Sequence, residues 1–190
     1  MGIGYARYPW LSKGIRKGTP MKRILTGLLF AAAVSAQTPP RNLIVITDRF
    51  TGETSVSLRQ FHILNTRDQG SPVQIDLAAI YASGKIVILA LSTAERLQFS
   101  GGADVFALAD GERIKLGHFQ SGQTVRTGGN YVKVEEIVAG DVGRPIFQKM
   151  ATAKSLELRI GRWECRVDPA DVQKLKEFST ALSAVAQAAR

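Results

Sequence analysis

The chain predicts a mainly β fold of the α+β class: an antiparallel β-sandwich or half-barrel of hairpins, with a short helix and a C-terminal amphipathic helix packed on it. Three observations carry that expectation. Between Asn42 and Val138, short apolar runs, many of them alternating, are separated by glycine-bearing turns. Ser83-Gly84 and Asp110-Gly111 have the length and composition of two-residue hairpin turns. After Asp168 the apolar period changes from two to three and four, as on a helix with one buried stripe.

Taken in order, Leu43–Ile46 is a continuous apolar run, which predicts a strand covered on both sides. Thr51-Gly52-Glu53 turns the chain, and Val56 and Leu58 begin an alternating strand whose phase changes at Phe61 and Ile63, predicting a bulge near Gln60. Asn65–Pro72 is polar and reads as an exposed loop. Ile75, Leu77, Ala79 and Tyr81 then share a face, and Ile86–Leu91 returns as a buried strand. Val105–Ala109 and Arg113–Leu116 flank the Asp110-Gly111 turn. Thr127–Asn130 predicts a third turn, leading into a strand from Tyr131.

The pattern changes after Gly140. Pro145–Ala151 predicts a short helix with proline near its first turn, and Ile146, Phe147 and Met150 on one side. Leu156, Leu158 and Ile160 alternate as a strand. Beyond Gly161 the apolar set moves to Trp163, Cys165 and Val167, so the glycine marks a bulge or tight bend. In the last helix Asp168 is placed to cap, Pro169 suits the first turn and Asp171 suits the positive end of the dipole. Val172, Leu175, Phe178, Leu182 and Val185 form its apolar stripe.

The front of the chain points to export. Lys22 and Arg23, the apolar stretch Ile24–Ala33 and the small-residue close Val34-Ser35-Ala36 have the form of a secretory signal peptide, too short to anchor in a bilayer. Residues 1–20 read as an upstream extension, with translation starting at Met21. Residues 21–36 are the signal, 37–41 a proline-stiffened leader, and 42–190 a single globular domain. Residues 1–36 carry six of the 25 Lys and Arg and none of the 16 Asp and Glu, so the formal charge of the remainder falls from +9 to about +3. No dense basic stripe is left for nucleic acid. Arg159, Arg162 and Arg166 are interleaved with Glu157 and Glu164, as on a solvated strand face. No stable membrane anchor is expected after cleavage. A single cysteine, Cys165, excludes an internal disulfide, and its place beside Trp163 and Val167 predicts burial.

Chemistry-bearing patterns are scarce. His62 and His118 lack companion residues at metal-ligand spacing, so neither a metal nor a cofactor is expected, and both histidines read as structural. No Gly-x-Ser-x-Gly elbow is present, and Gly101-Gly102 and Gly128-Gly129 lack the phosphate-loop pattern. Glu135 and Glu136 are adjacent on a strand and point to opposite faces. Glu136 lies in the row of Val132, Val134 and Val138, where it reads as the end of burial. Ligand contacts, if loop-borne, fall on Asn65–Pro72, Leu97–Asp104 and His118–Asn130, with Arg67, Arg126, Asn130 and Tyr131 as the side chains to test. The function expected is an exported, soluble, non-enzymatic binding or protein-interaction domain of the bacterial cell envelope, whose partner is a protein or a small molecule. The alternative is an exported hydrolase with a loop-borne site near His62 or His118.

Overall fold

The structure is a computed structural model; it describes residues 40–128 and 131–188, with side chains at all of these except 123–128, 131–132 and 188. The described strands are β1 (Leu43–Thr47), β2 (Thr54–Asp68), β3 (Ser71–Ala82), β4 (Lys85–Ala94), β5 (Ala103–Ala109), β6 (Glu112–Gly128), β7 (Tyr131–Val142), β8 (Leu156–Ile160) and β9 (Trp163–Val167). They form one antiparallel sheet in the order β1-β2-β3-β4-β7-β6-β5-β8-β9. The sheet curls into a half-barrel, and β9 comes round to touch β2.

The curl is built at β6, a strand shared by two halves of the sheet. Its first part pairs with β5, from Ala109↔Glu112 to Ala103↔Phe119. Its second part pairs with β7, from Gln120↔Ala139 to Gly128↔Tyr131. Phe119 sits at the handover and is buried. A Cβ placed on Gly140 would fall inside contact distance of three Phe119 ring carbons, so the ring occupies the space above that glycine. A register shift between Val105 and Phe106 lets the first part of β6 bend away from the second.

Three tight turns follow one rule. Gln69-Gly70, Ser83-Gly84 and Asp110-Gly111 each put two successive residues at positive φ, the geometry that matches the twist of the strands they join. The bulge expected near Gln60 is present as register shifts between Leu58 and Phe61 and between His62 and Leu64, which keep Phe61 and Ile63 in the core. Gly161, at φ 59°, makes the turn between β8 and β9.

Both helices follow the strands of the meander. Helix α1 (Arg144–Thr152) buries Phe147, Met150 and Ala151. Helix α2 (Pro169–Ala188) buries Val172, Leu175, Phe178 and Leu182 and packs on β2 and α1. The rings of Phe147 and Phe178 meet edge to face at 5.3 Å, and burying each contributes on the order of 1.5–3 kcal/mol. The backbone carbonyl of Asp168 accepts the first helical bonds, from the N–H groups of Asp171 and Val172. Cys165 is buried in the core, as its alternation predicts.

Four expectations are corrected. The run Leu43–Ile46 is not covered on both sides: β1 is an edge strand, and Ile46 is 59% exposed. Asn65–Pro72 is not a loop, because β2 and β3 continue through it and only Gln69-Gly70 turn. His118–Gly128 is likewise strand; its polar residues lie on a strand whose partners, not its own pattern, hold it in the sheet. Glu136 does not end the buried row, for it is 2% exposed and Val134 and Val138 on either side are buried. The turn proposed at Thr127–Asn130 falls partly outside the described residues: Thr127 and Gly128 are in β6.

Candidate functional site

One end of the half-barrel gathers the β2–β3 turn, the β4–β5 connection (residues 95–102) and the β8–β9 turn. Arg162 ties them together. Its Nη2 donates to Asp68 Oδ2 at 2.5 Å and to Gln98 Oε1 at 3.0 Å, while the guanidinium stacks on the ring of Trp163 at 4.7 Å. Arg96 donates to Gln69 Oε1, and Ser71 Oγ donates to Glu95 Oε2 at 2.6 Å. The indole Nε1 of Trp163 is buried with no hydrogen-bond partner among the described residues.

Of the four residues singled out in the sequence, Arg67, Arg126 and Tyr131 have strand positions toward this same end. Arg67 is exposed and faces Pro72 across the β2–β3 ladder. Arg126 pairs in register with Lys133, and Tyr131 with Gly128. Continuing the pairings from Val73↔Ala94 through Ala94↔Val134 and Val125↔Val134 puts Arg67 and Arg126 in one row, four strands apart. At about 4.8 Å per strand they are roughly 19 Å from each other along the sheet, too far for one small ligand to touch both without the curl. Asn130 lies outside the described residues, as do the side chains of Arg126 and Tyr131.

The inward part of this end is held by Glu136. Its carboxylate accepts the backbone N–H groups of Gln98 and Phe99, the latter at 3.2 Å to each oxygen. Ser92 stands directly opposite on β4, its Oγ buried without a partner among the described residues. A buried carboxylate is costly unless it is hydrogen-bonded, and here the acceptor satisfies two backbone donors of a connection that has no strand to pair with. Glu136 therefore fixes the path of residues 95–102. No sequence spacing announces this role, since the partners are backbone groups far away along the chain.

Each histidine faces an aspartate across an antiparallel pair. His62 Nδ1 lies 2.8 Å from Asp76 Oδ1, and Gln74 Nε2 donates to both oxygens of that carboxylate at 3.1 and 3.2 Å. His118 Nδ1 lies 3.2 Å from Asp104 Oδ1, and its Nε2 lies 3.3 Å from the carbonyl of Gly101. A Cβ on Gly102 would meet that ring nitrogen at 2.7 Å and the Phe119 carbonyl at 2.5 Å. His118 thus engages both nitrogens in holding the start of β5. The contact from Nδ1 to a carboxylate is the one that orients a base in a catalytic triad. Among the described residues neither imidazole is hydrogen-bonded to a hydroxyl or thiol, and no three His, Cys, Asp or Glu side chains gather as metal ligands.

A different surface lies at the outer edge of β1, which pairs with β2 alone among the described strands. Val45 and Ile46 are exposed along it. One side chain spans the turn after it: Asp48 Oδ1 accepts the N–H groups of Phe50 at 2.7 Å and Thr51 at 3.1 Å. Phe50 is 83% exposed at the tip, with the Arg49 guanidinium 4.6 Å over its ring. The apolar run that suggested a covered strand was the available signal for this surface; what it could not carry was the position of β1 at the edge.

The architecture is that of a curled antiparallel half-barrel with two packed helices. No family model, curated protein or solved structure matches the chain. No helix among the described residues is long and apolar enough to cross a membrane.

Proposed function

We propose that this chain is an exported, non-enzymatic protein-interaction domain of the bacterial cell envelope, and that it takes an extended segment of a partner along the outer edge of β1. The observation that carries the reading is that edge, with Val45 and Ile46 exposed beside Phe50, whose backbone N–H is bonded by Asp48. An edge strand offers a row of backbone donors and acceptors that another chain can pair with. Proteins usually blunt such edges with lysine, proline or a bulge, and Leu43-Ile44-Val45-Ile46-Thr47 has none of these. Strand addition draws its affinity from main-chain bonds and its selectivity from alternate side chains, and an exposed aromatic at the end of the strand supplies an anchor. Export rests on the signal-like pattern of Met21–Ala36.

The test places a photo-crosslinking residue at Ile46 in a C-terminally tagged chain expressed in a bacterial host, with Gln74 on the sheet's outer face as the control position. A single recurrent heterologous product from the envelope at Ile46, absent at Gln74, is expected. Equal products at both positions, or none, would count against the reading. Sequencing the recovered protein reads export directly: the N-terminus should be Gln37, and an intact Met21 start would refute cleavage.

A further inference from the structure

The outer face of β6-β5-β8-β9 carries two cross-strand rows. One runs Arg113, Leu108, Glu157, Arg166, and the other Lys115, Phe106, Arg159, Glu164. The opposite faces of the same strands supply Val105, Ala107, Ile114, Leu158 and Cys165 to the core, so these two rows point outward. Phe106 and the exposed Leu108 form their apolar centre.

The charges around that centre are arranged in an unusual way. Arg159 stands opposite Glu164, and Glu157 opposite Arg166, yet none of the four cations or two acids is in an ion pair among the described residues. Arg113 and Arg159 instead each lie 4.6 Å from the centroid of the Phe106 ring. One aromatic side chain therefore holds two guanidiniums within about 9 Å of each other, neither of them in an ion pair among the described residues. Guanidinium and aromatic groups around an apolar centre are the composition enriched at the anchors of protein interfaces.

We propose that this face docks an acidic polypeptide segment bearing an apolar side chain, whose carboxylates pair with Arg113 and Arg159 while its apolar group covers Phe106 and Leu108. Planar guanidinium forks donate to carboxylates in bidentate fashion, and two forks held over one ring set the spacing of the acids they receive. Glu157 and Glu164 select the class of partner. A uniformly anionic surface, such as a bilayer or a nucleic acid, would meet both acids with like charge. A polypeptide can place neutral or basic groups opposite them. The inference deepens the interaction reading but concerns a surface separate from β1, so the two can fail independently.

The test uses the full chain and a short fluorescein-labelled peptide in which glutamate and leucine alternate, read by anisotropy. Saturable, salt-sensitive binding is expected, weakened at least about tenfold by the double substitution Arg113→Ala/Arg159→Ala and unchanged by Ile46→Lys. Neutralising Glu157→Gln/Glu164→Gln should leave binding equal or tighter. Reversal by Arg113→Glu/Arg159→Glu should transfer preference to a peptide alternating lysine and leucine, a gain that a misfolded variant would not give. Unaltered binding by either arginine variant overturns the proposal. So does equal binding of the lysine–leucine peptide to the unsubstituted chain, or stronger binding of phosphatidylglycerol vesicles or of duplex DNA than of the acidic peptide.

Discussion

Phe119 fills the space that a side chain on Gly140 would need, and it does so at the point where β6 passes from β7 to β5. The bend in the sheet thus depends on one large residue meeting one with no side chain. Gly140→Ala should destabilise the protein by about 1–3 kcal/mol, because the buried ring has no free space to move into. Combining it with Phe119→Leu should cost less than the two changes added together. Urea unfolding midpoints of the three variants check this, and simple additivity would contradict it.

Glu136 is the acceptor for the β4–β5 connection. Glu136→Ala leaves the buried N–H of Phe99 and the part-buried N–H of Gln98 without their partner, at a cost of roughly 1–3 kcal/mol for the first and less for the second. Amide exchange should accelerate at Gln98 and Phe99 well before it does at Val105 or Leu158. Uniform acceleration across the sheet would mean the carboxylate supports the whole core and not this connection.

Burial pushes the Cys165 thiol up from 9.0 to about 11. Below pH 9 the thiol is protonated in both the folded and unfolded chain, and this contribution to stability is fully present. Between about pH 9 and 11 the unfolded chain releases the proton while the folded one keeps it, so stability falls as pH rises, by on the order of 2–3 kcal/mol at most. Denaturant titrations of the parent chain and Cys165→Ala at about pH 8 and about pH 10.5 isolate this term. The gap between the two proteins should shift over that interval. In the folded chain the thiol should also resist alkylation at neutral pH and react once denaturant is added.

Asp110 does two things at the β5–β6 turn. It takes a φ of 49°, and its Oδ1 accepts the N–H groups of Lys154 and Ser155, each at 2.9 Å. Asp110→Asn keeps an acceptor oxygen and tolerates the left-handed conformation, so it should change stability by under about 1 kcal/mol. Asp110→Ala loses both and should cost about 2 kcal/mol or more. Thermal unfolding of the pair separates the roles, and equal melting temperatures would deny the side chain any role in tying the β5–β6 turn to the α1–β8 connection.

What the sequence encodes plainly is local. Ser83-Gly84 and Asp110-Gly111 place glycine where φ must be positive, and the phase change at Phe61 marks a bulge because burial must continue through it. The stripe from Val172 to Leu182 states the buried face of α2 in the same way. Position within the sheet has no such signature. Leu43–Ile46 reads alike at an edge or in the middle, and the outer-face polar residues of Asn65–Asp68 read as loop because only the partner strand keeps them extended. The site suffers most from this. Glu136 serves backbone groups, while Phe106 gains its two guanidiniums from neighbouring strands, and neither relationship has a spacing to find.

Among the described strands, only β4·β7 and β5·β8 are neighbours in the sheet without being neighbours in sequence. The β5–β6–β7 meander is therefore inserted in reverse: β7, the last of the three to be synthesised, is the one that joins β4. A chain that emerges from its N-terminus completes β5 before β7, the strand that joins the meander to β4, and β8 pairs with the edge that β5 leaves open. The β5–β6 hairpin, with Asp110-Gly111 at its tip, is thus bonded into the sheet only by strands that follow it in the chain, β7 on one side and β8 on the other.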